Sequence, residues 1–122
     1  MSNPNRRAGK IFFKVDGVQH DAKGGFTYNL GKGKREGIAG ADRVHGYKET
    51  VQIPFIEGEI TDSFDLDLQA LLELDGVTVT LELANGKNIL LRDAWYAGDG
   101  NGQTEEANIQ VRFEGLEAEE IK

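Results

Sequence analysis

The fold class turns on Val77-Thr78-Val79-Thr80-Leu81-Glu82-Leu83-Ala84-Asn85-Gly86-Lys87. Val77, Val79, Leu81 and Leu83 alternate with Thr78, Thr80, Glu82 and Ala84, and a period of two is the mark of a strand with one dry and one polar face. Asn85-Gly86 then turns the chain, and Lys87 to Tyr96 returns as a hairpin partner. A two-residue loop would set Leu81 opposite Leu90 and Val79 opposite Arg92. A three-residue loop, Ala84-Asn85-Gly86 with Gly86 left-handed, sets Leu81 opposite Ile89 and Val79 opposite Leu91. A one-residue slip moves every side chain to the other face, so the apolar match selects the three-residue loop. Trp95, near the end of the return strand, is expected in the core.

The same alternation extends outward in both directions. Downstream, Ala107, Ile109, Val111 and Phe113 alternate with Glu106, Asn108, Gln110 and Arg112. Upstream, Ile11, Phe13 and Val15 alternate with Lys10, Phe12 and Lys14, and Asp16-Gly17 reads as a tight turn into Val18 to Ala22. Gly24-Gly25 breaks the chain before a short strand, Phe26 to Leu30. From Gly31 to Gly46 the chain is glycine-rich and charged without a sustained period, which predicts a long loop. Tyr47 to Thr61 resumes strand character, with Pro54 at an edge, a bulge or a strand start. Leu68, Leu71 and Leu72 mark one short amphipathic helix, with Ser63, Asp65 or Asp67 as cap and Gly76 as stop. The expectation is a mainly β protein of two packed antiparallel sheets with one short flanking α-helix. It forms a single domain over 1–122, with an N-terminal arm at 1–9, a loop at 31–46 and an acidic tail at 116–122.

Charge is unevenly distributed. Residues 1–50 hold ten Lys/Arg and five Asp/Glu, whereas 51–122 hold four and sixteen. Such segregation suits a head-to-tail contact between copies, basic patch to acidic patch. A net charge of -7 argues against nucleic-acid binding, which needs phosphates neutralised. No cysteine is present, which removes disulfides and thiolate metal sites. No apolar run approaches the ~20 residues of a membrane helix, and no secretory signal is read after Arg6, Arg7 and Lys10.

Motifs for catalysis fail on spacing. Gly31-Lys32-Gly33-Lys34-Arg35-Glu36-Gly37 lacks the glycine and Ser/Thr of a phosphate loop and has Glu36 where a dinucleotide loop needs glycine. Asp99-Gly100-Asn101-Gly102 opens like a calcium loop, but Thr104 and Gln110 occupy the positions that need glycine and glutamate. Glu57 and Glu59 share a strand face without a sign of a dry pocket, and His20 and His45 stand outside any motif. No enzyme, metal or cofactor is expected.

Several blocks resemble the tail tube proteins of Mu-like contractile-tailed bacteriophages. They are Gly40-Ala41-Asp42-Arg43-Val44-His45-Gly46-Tyr47-Lys48-Glu49, Pro54-Phe55-Ile56-Glu57-Gly58 followed by Asp62, Thr78 to Lys87 with Trp95 after it, and Val111-Arg112-Phe113-Glu114-Gly115. The resemblance implies a structural subunit whose copies form hexameric rings that stack into a tube, with sheets joined across subunits. It implies a sheath around the tube, a tape measure protein inside, and baseplate and tail terminator proteins at its ends. DNA would pass through without specific binding, in a virion assembled in the host cytoplasm and without membrane insertion. Tube subunits of bacteriocins and secretion devices are similar, and a β-sandwich ligand-binding module is the alternative outside that class.

Within that frame, Lys32, Lys34, Arg35, Arg43, His45 and Tyr47 are candidates for contact between stacked rings. Thr78, Thr80, Glu82, Asn108 and Gln110 are candidates for a polar lumen wall, where acidic character would repel phosphate and let DNA slide.

Overall fold

A computed structural model describes residues 11–64, 66–105 and 107–122. The expected arm at 1–9, Asp65 as a helix cap and Glu106 in its strand lie outside the described residues. The chain is mainly β, with one short helix. In order it forms β1 (Phe12–Val15), β2 (Val18–His20), β3 (Ala22–Asn29), β4 (Lys34–Ala39), β5 (Val44–Thr50), β6 (Phe55–Thr61), α1 (Leu68–Leu72), β7 (Val77–Glu82), β8 (Asn88–Tyr96), β9 (Gly102–Gln103), β10 (Asn108–Glu114) and β11 (Glu117–Ile121). Nine-stranded pairing runs β2-β1-β7-β8-β10-β6-β3, with β11 on β8 and β9 on β10. Among the described residues, the strands β4 and β5 pair only with each other.

Turn chemistry sets the registers. Asp16 and Gly17 both have positive φ, 50° and 82°, as a two-residue hairpin turn with the right twist requires. Val15 therefore faces Val18, and Phe13 faces His20. The Asp16 carboxylate also accepts from the Thr78 amide at 2.8 Å, which clips this turn to the start of β7. Between β7 and β8, Leu81 opposes Ile89 and Val79 opposes Leu91, with Gly86 at φ 95°. That is the register expected of the three-residue loop. Its closing hydrogen bond runs from Leu83 N to Lys87 O at 2.8 Å.

The sheet curls so that two layers pack on one core. Phe13 in β1 lies 6.0 Å from Phe113 in β10 and 5.0 Å from Phe26 in β3, ring to ring. Val79, Leu81, Ile89 and Leu91 from one layer meet Ile56, Ile60, Ile109 and Val111 from the other in a single buried cluster. The layers join at β8. Its first half pairs with β11, and its last residues, Trp95 and Tyr96, pair with β10. Gly115 sits at the corner between β10 and β11, donating to Pro54 O, while Leu116 N donates to Arg92 O. A side chain at 115 would meet the Arg92 carbonyl at 2.8 Å, so the corner admits only glycine.

The helix is five residues long. Asp67 caps it, its carboxylate accepting from Ala70 N at 3.1 Å, and Leu71 is the residue it buries. Pro54 falls immediately before β6, at a strand start, where no ladder donor is lost.

Several elements depart from the sequence expectation. Residues 31–46 are not a loop: most of them form β4, the tip and the start of β5. The acidic tail is largely a strand, β11, because Ala118 can face Leu91 from the core side while its glutamates face outward or along the edge. Gly24-Gly25 does not break the chain but lies within β3, at a register irregularity between Lys23 and Thr27. Trp95 is half-buried and is not part of the core. A bulge around Asp93, at φ 52°, shifts the alternation by one residue, so Ala94 and Tyr96 turn inward instead. Ala107 is exposed at φ 53°, and Asn108 is the buried neighbour.

Candidate assembly surface

The β4–β5 hairpin has no buried residue on either strand. Its two faces carry different side chains. On one, Glu36 lies between Lys34 at 3.7 Å and Lys48 at 3.9 Å. On the other, Arg35 pairs with Glu49 at 3.3 Å and covers the Tyr47 ring at 5.2 Å. His45 packs its imidazole on Gly40 beside the tip. Among the described residues, Lys32 and Arg43 make no ion pair. Of the six stacking candidates, then, Arg35 and Tyr47 are in contact with each other, Lys34 lies on the opposite face, and Arg43 and His45 stand at or beside the tip.

Apolar side chains are also left in solvent here. Val44 is 73% exposed, Ile38 45%, and Val51 just beyond β5 is 90%. A lone two-stranded hairpin is marginally stable in water, and its edges invite further pairing. Only its root is fastened: Asn29 Nδ2 donates to Gln52 Oε1 at 3.0 Å, and Gly31 N donates to Asn29 Oδ1 at 2.7 Å.

The lumen candidates do not share one surface. Thr78 is exposed and Thr80 and Glu82 are half-buried on the outer side of β7, where Lys14 reaches Glu82 at 3.4 Å. Gln110 is exposed on the outer side of β10. Those two outer sides flank the core from opposite directions, so the four residues cannot line one wall of a single subunit. Asn108 leaves the set altogether. It is 2% exposed, and its Nδ2 donates to Glu59 Oε2 at 2.6 Å.

The outer side of β3, β6 and β10 forms a shallow polar depression of about 720 Å³. Its charges largely neutralise one another. Arg112 reaches Glu57 at 2.9 Å and Glu114 at 3.1 Å, with its guanidinium 4.1 Å from the Phe55 ring centre. Among the described residues no three His, Asp or Glu gather as a metal site, and no helix is long and apolar enough to cross a membrane.

A second concavity, about 430 Å³, runs between β2 and α1. Val18, Leu66, Ala70 and Leu74 give it an apolar floor, and Asp16, Asp21 and Asp67 stand exposed around it. His20 lines it too, 6.2 Å from Phe13, and burial pushes its pKa down while Asp21 partly opposes the shift. Sequence reasoning missed this groove. One wall comes from the run Glu49 to Gly86, which has nine Asp/Glu and no Lys or Arg, and the other from Val15 to Asp21 in the more basic first half, so no single stretch of sequence signals it.

The exposed hairpin and the curled two-layer sheet leave broad surface open to other proteins. Compared with known families, residues 4–120 match the phage tail tube protein family. The chain belongs to that family. A curated relative is the tail tube protein of Escherichia phage Mu, 25% identical over 95 residues that span 78% of this chain and 80% of the relative. Two solved structures share the fold. One is the sheath/tube terminator of the extracellular contractile injection system PVC, at TM-score 0.66, 7% identity and coverage of 93% of this chain and 94% of that one. The other is the tube-terminating cap of the anti-feeding prophage, at TM-score 0.64, 8% identity and coverage of 100% and 92%. Membership gives this tail tube family protein a structural role as a tail component.

Proposed function

We propose that this protein is the repeating subunit of a tail tube, six copies to a ring, with rings stacked into a hollow conduit for DNA. The observation that carries the reading is the β4–β5 hairpin, ordered along its length yet buried nowhere within its own chain. A neighbouring copy supplies what the hairpin lacks. Stacking contacts fall to Lys32, Lys34, Arg35, Arg43, His45 and Tyr47. Either the β7 side, with Thr78, Thr80 and Glu82, or the β10 side, with Gln110, faces the lumen. A tape measure protein occupies the lumen during assembly, a sheath surrounds the tube, and baseplate and terminator proteins meet its ends. The particle is a virion built in the host cytoplasm, or a related bacteriocin or secretion device. No catalysis is part of this role.

Negative-stain electron microscopy and light scattering of the purified protein test the reading. Rings or hollow fibres of uniform width, growing with concentration or on addition of a tail baseplate, are the expected result. A strict monomer under all of these conditions overturns it. The shared fold with a terminator and a cap favours a second reading, an end-capping subunit, which would stop at single rings.

A further inference from the structure

We infer that the groove between β2 and α1 receives the tip of the β4–β5 hairpin of a second copy of this chain. The inference rests on the tube reading and names the two surfaces that meet. The hairpin tip offers Ile38 and Val44 in solvent with Arg43 beside them. Across residues 31–48, five Lys/Arg stand against two acids, Glu36 and Asp42. The groove offers the converse, an apolar floor ringed by Asp16, Asp21 and Asp67. Its acids come from both walls, Asp16 and Asp21 flanking β2 and Asp67 capping α1, and no lysine or arginine stands among the described residues that line it.

Reach and shape agree. A strand rises about 3.4 Å per residue, so six-residue arms project about 20 Å, far enough to leave one globule and enter the next. Val18 on the groove floor is 61% exposed, and Phe64, in the segment between β6 and α1, is fully exposed. Among the described residues β2 is also an edge of the sheet, able to take a strand alongside it. No residue of the hairpin lines the groove of its own chain, and its root is clasped at Asn29 and Gln52, so the occupant we assign is a second molecule. Opposite charge fixes which end enters, and the buried aliphatic groups hold it there.

The absence of native cysteine makes the test clean. Val44→Cys and Ala70→Cys are made in separate proteins of different tag length, mixed, assembled and oxidised. Both positions are exposed, so folding should be unaffected. Disulfides need Cα atoms within about 7 Å. The mixed pair should therefore crosslink roughly tenfold or more above Val44→Cys mixed with Gln110→Cys, exposed on the outer side of β10 away from the groove, a contrast set by local concentration at a docked site. In parallel, Arg43→Asp and Asp21→Lys should each weaken assembly, and the double variant should restore it. Assembly without the Val44–Ala70 crosslink, or without rescue by the charge swap, overturns the docking and leaves the tube reading standing. Failure to assemble under any condition overturns the tube reading, and the docking with it.

Discussion

Asn108 occupies the least forgiving position on β10. Its amide donates to Glu59 while its carbonyl oxygen, Oδ1, has no partner among the described residues and no access to solvent. Replacement by aspartate would place a second carboxylate within hydrogen-bonding distance of Glu59 with nowhere for the charge to go. Asn108→Asp should lose about 3 kcal/mol of stability near neutral pH, as an uncompensated buried charge does. Most of that should return at acid pH, when one proton bridges the two groups. Urea denaturation across pH checks both parts, with Asn108→Ala as the milder control. His20 gives the molecule a second acid sensitivity. Its folded pKa lies below the usual 6.5 because burial disfavours the imidazolium. The unfolded chain therefore takes up protons that the folded chain resists. The contribution is complete above pH 6.5 and is lost as pH falls through the lowered folded value. The wild-type melting temperature should drop more than that of His20→Gln between pH 7.5 and about 5, above the main carboxylate range.

Among the elements, the β4–β5 hairpin is the one that the proposed assembly would change most. In the monomer its hydrogen bonds are open to water on both faces, so its amides should exchange near the fastest rates in the chain. In the assembled state the amides of 34–39 and 44–50 should gain protection of at least roughly tenfold, while those of β7 and β8 stay unchanged. Hydrogen exchange with mass detection reads both. The same exposure explains why the hairpin was illegible in the sequence. Alternation arises when one face of a strand is dry, and here neither is. In β7 and β8 the dry face exists, so apolar matching gave the register of Leu81 with Ile89 before any coordinates. Trp95 was misread for a related reason: the bulge at Asp93 inverts inside and outside, and no local residue pattern announces it. β11 stayed hidden because only Ala118 faces the core. The pairing of Lys34, Lys48 and Arg35 with Glu36 and Glu49 depends on a register that the sequence does not display.

At the level of the whole molecule, charge segregation becomes a property of the assembly. Most exposed ion pairs contribute little by themselves, and the pairs within the hairpin are of this kind. In the proposed tube, however, contacts between a basic arm and an acidic body would recur at every junction, so their screening would add up. Raising sodium chloride from 0.1 to 1 M shortens the screening length from about 10 to 3 Å. The subunit concentration needed for assembly should then rise on the order of tenfold, or about 1.4 kcal/mol per subunit. Pelleting assays at graded salt measure this, and Arg43→Glu should flatten the salt dependence while Lys87→Glu, far from the arm, should not.

The hairpin shares no side chain with the core, and that has a consequence for how this molecule can change over generations. Substitutions in β4 and β5 face no veto from folding, whereas β8, counted out by its bulge and held on both edges, cannot gain or lose a residue without turning itself inside out. Lineages can therefore recode whom they join while inheriting the body unaltered, and kinship should be traced through β7 and β8, compatibility through the arm.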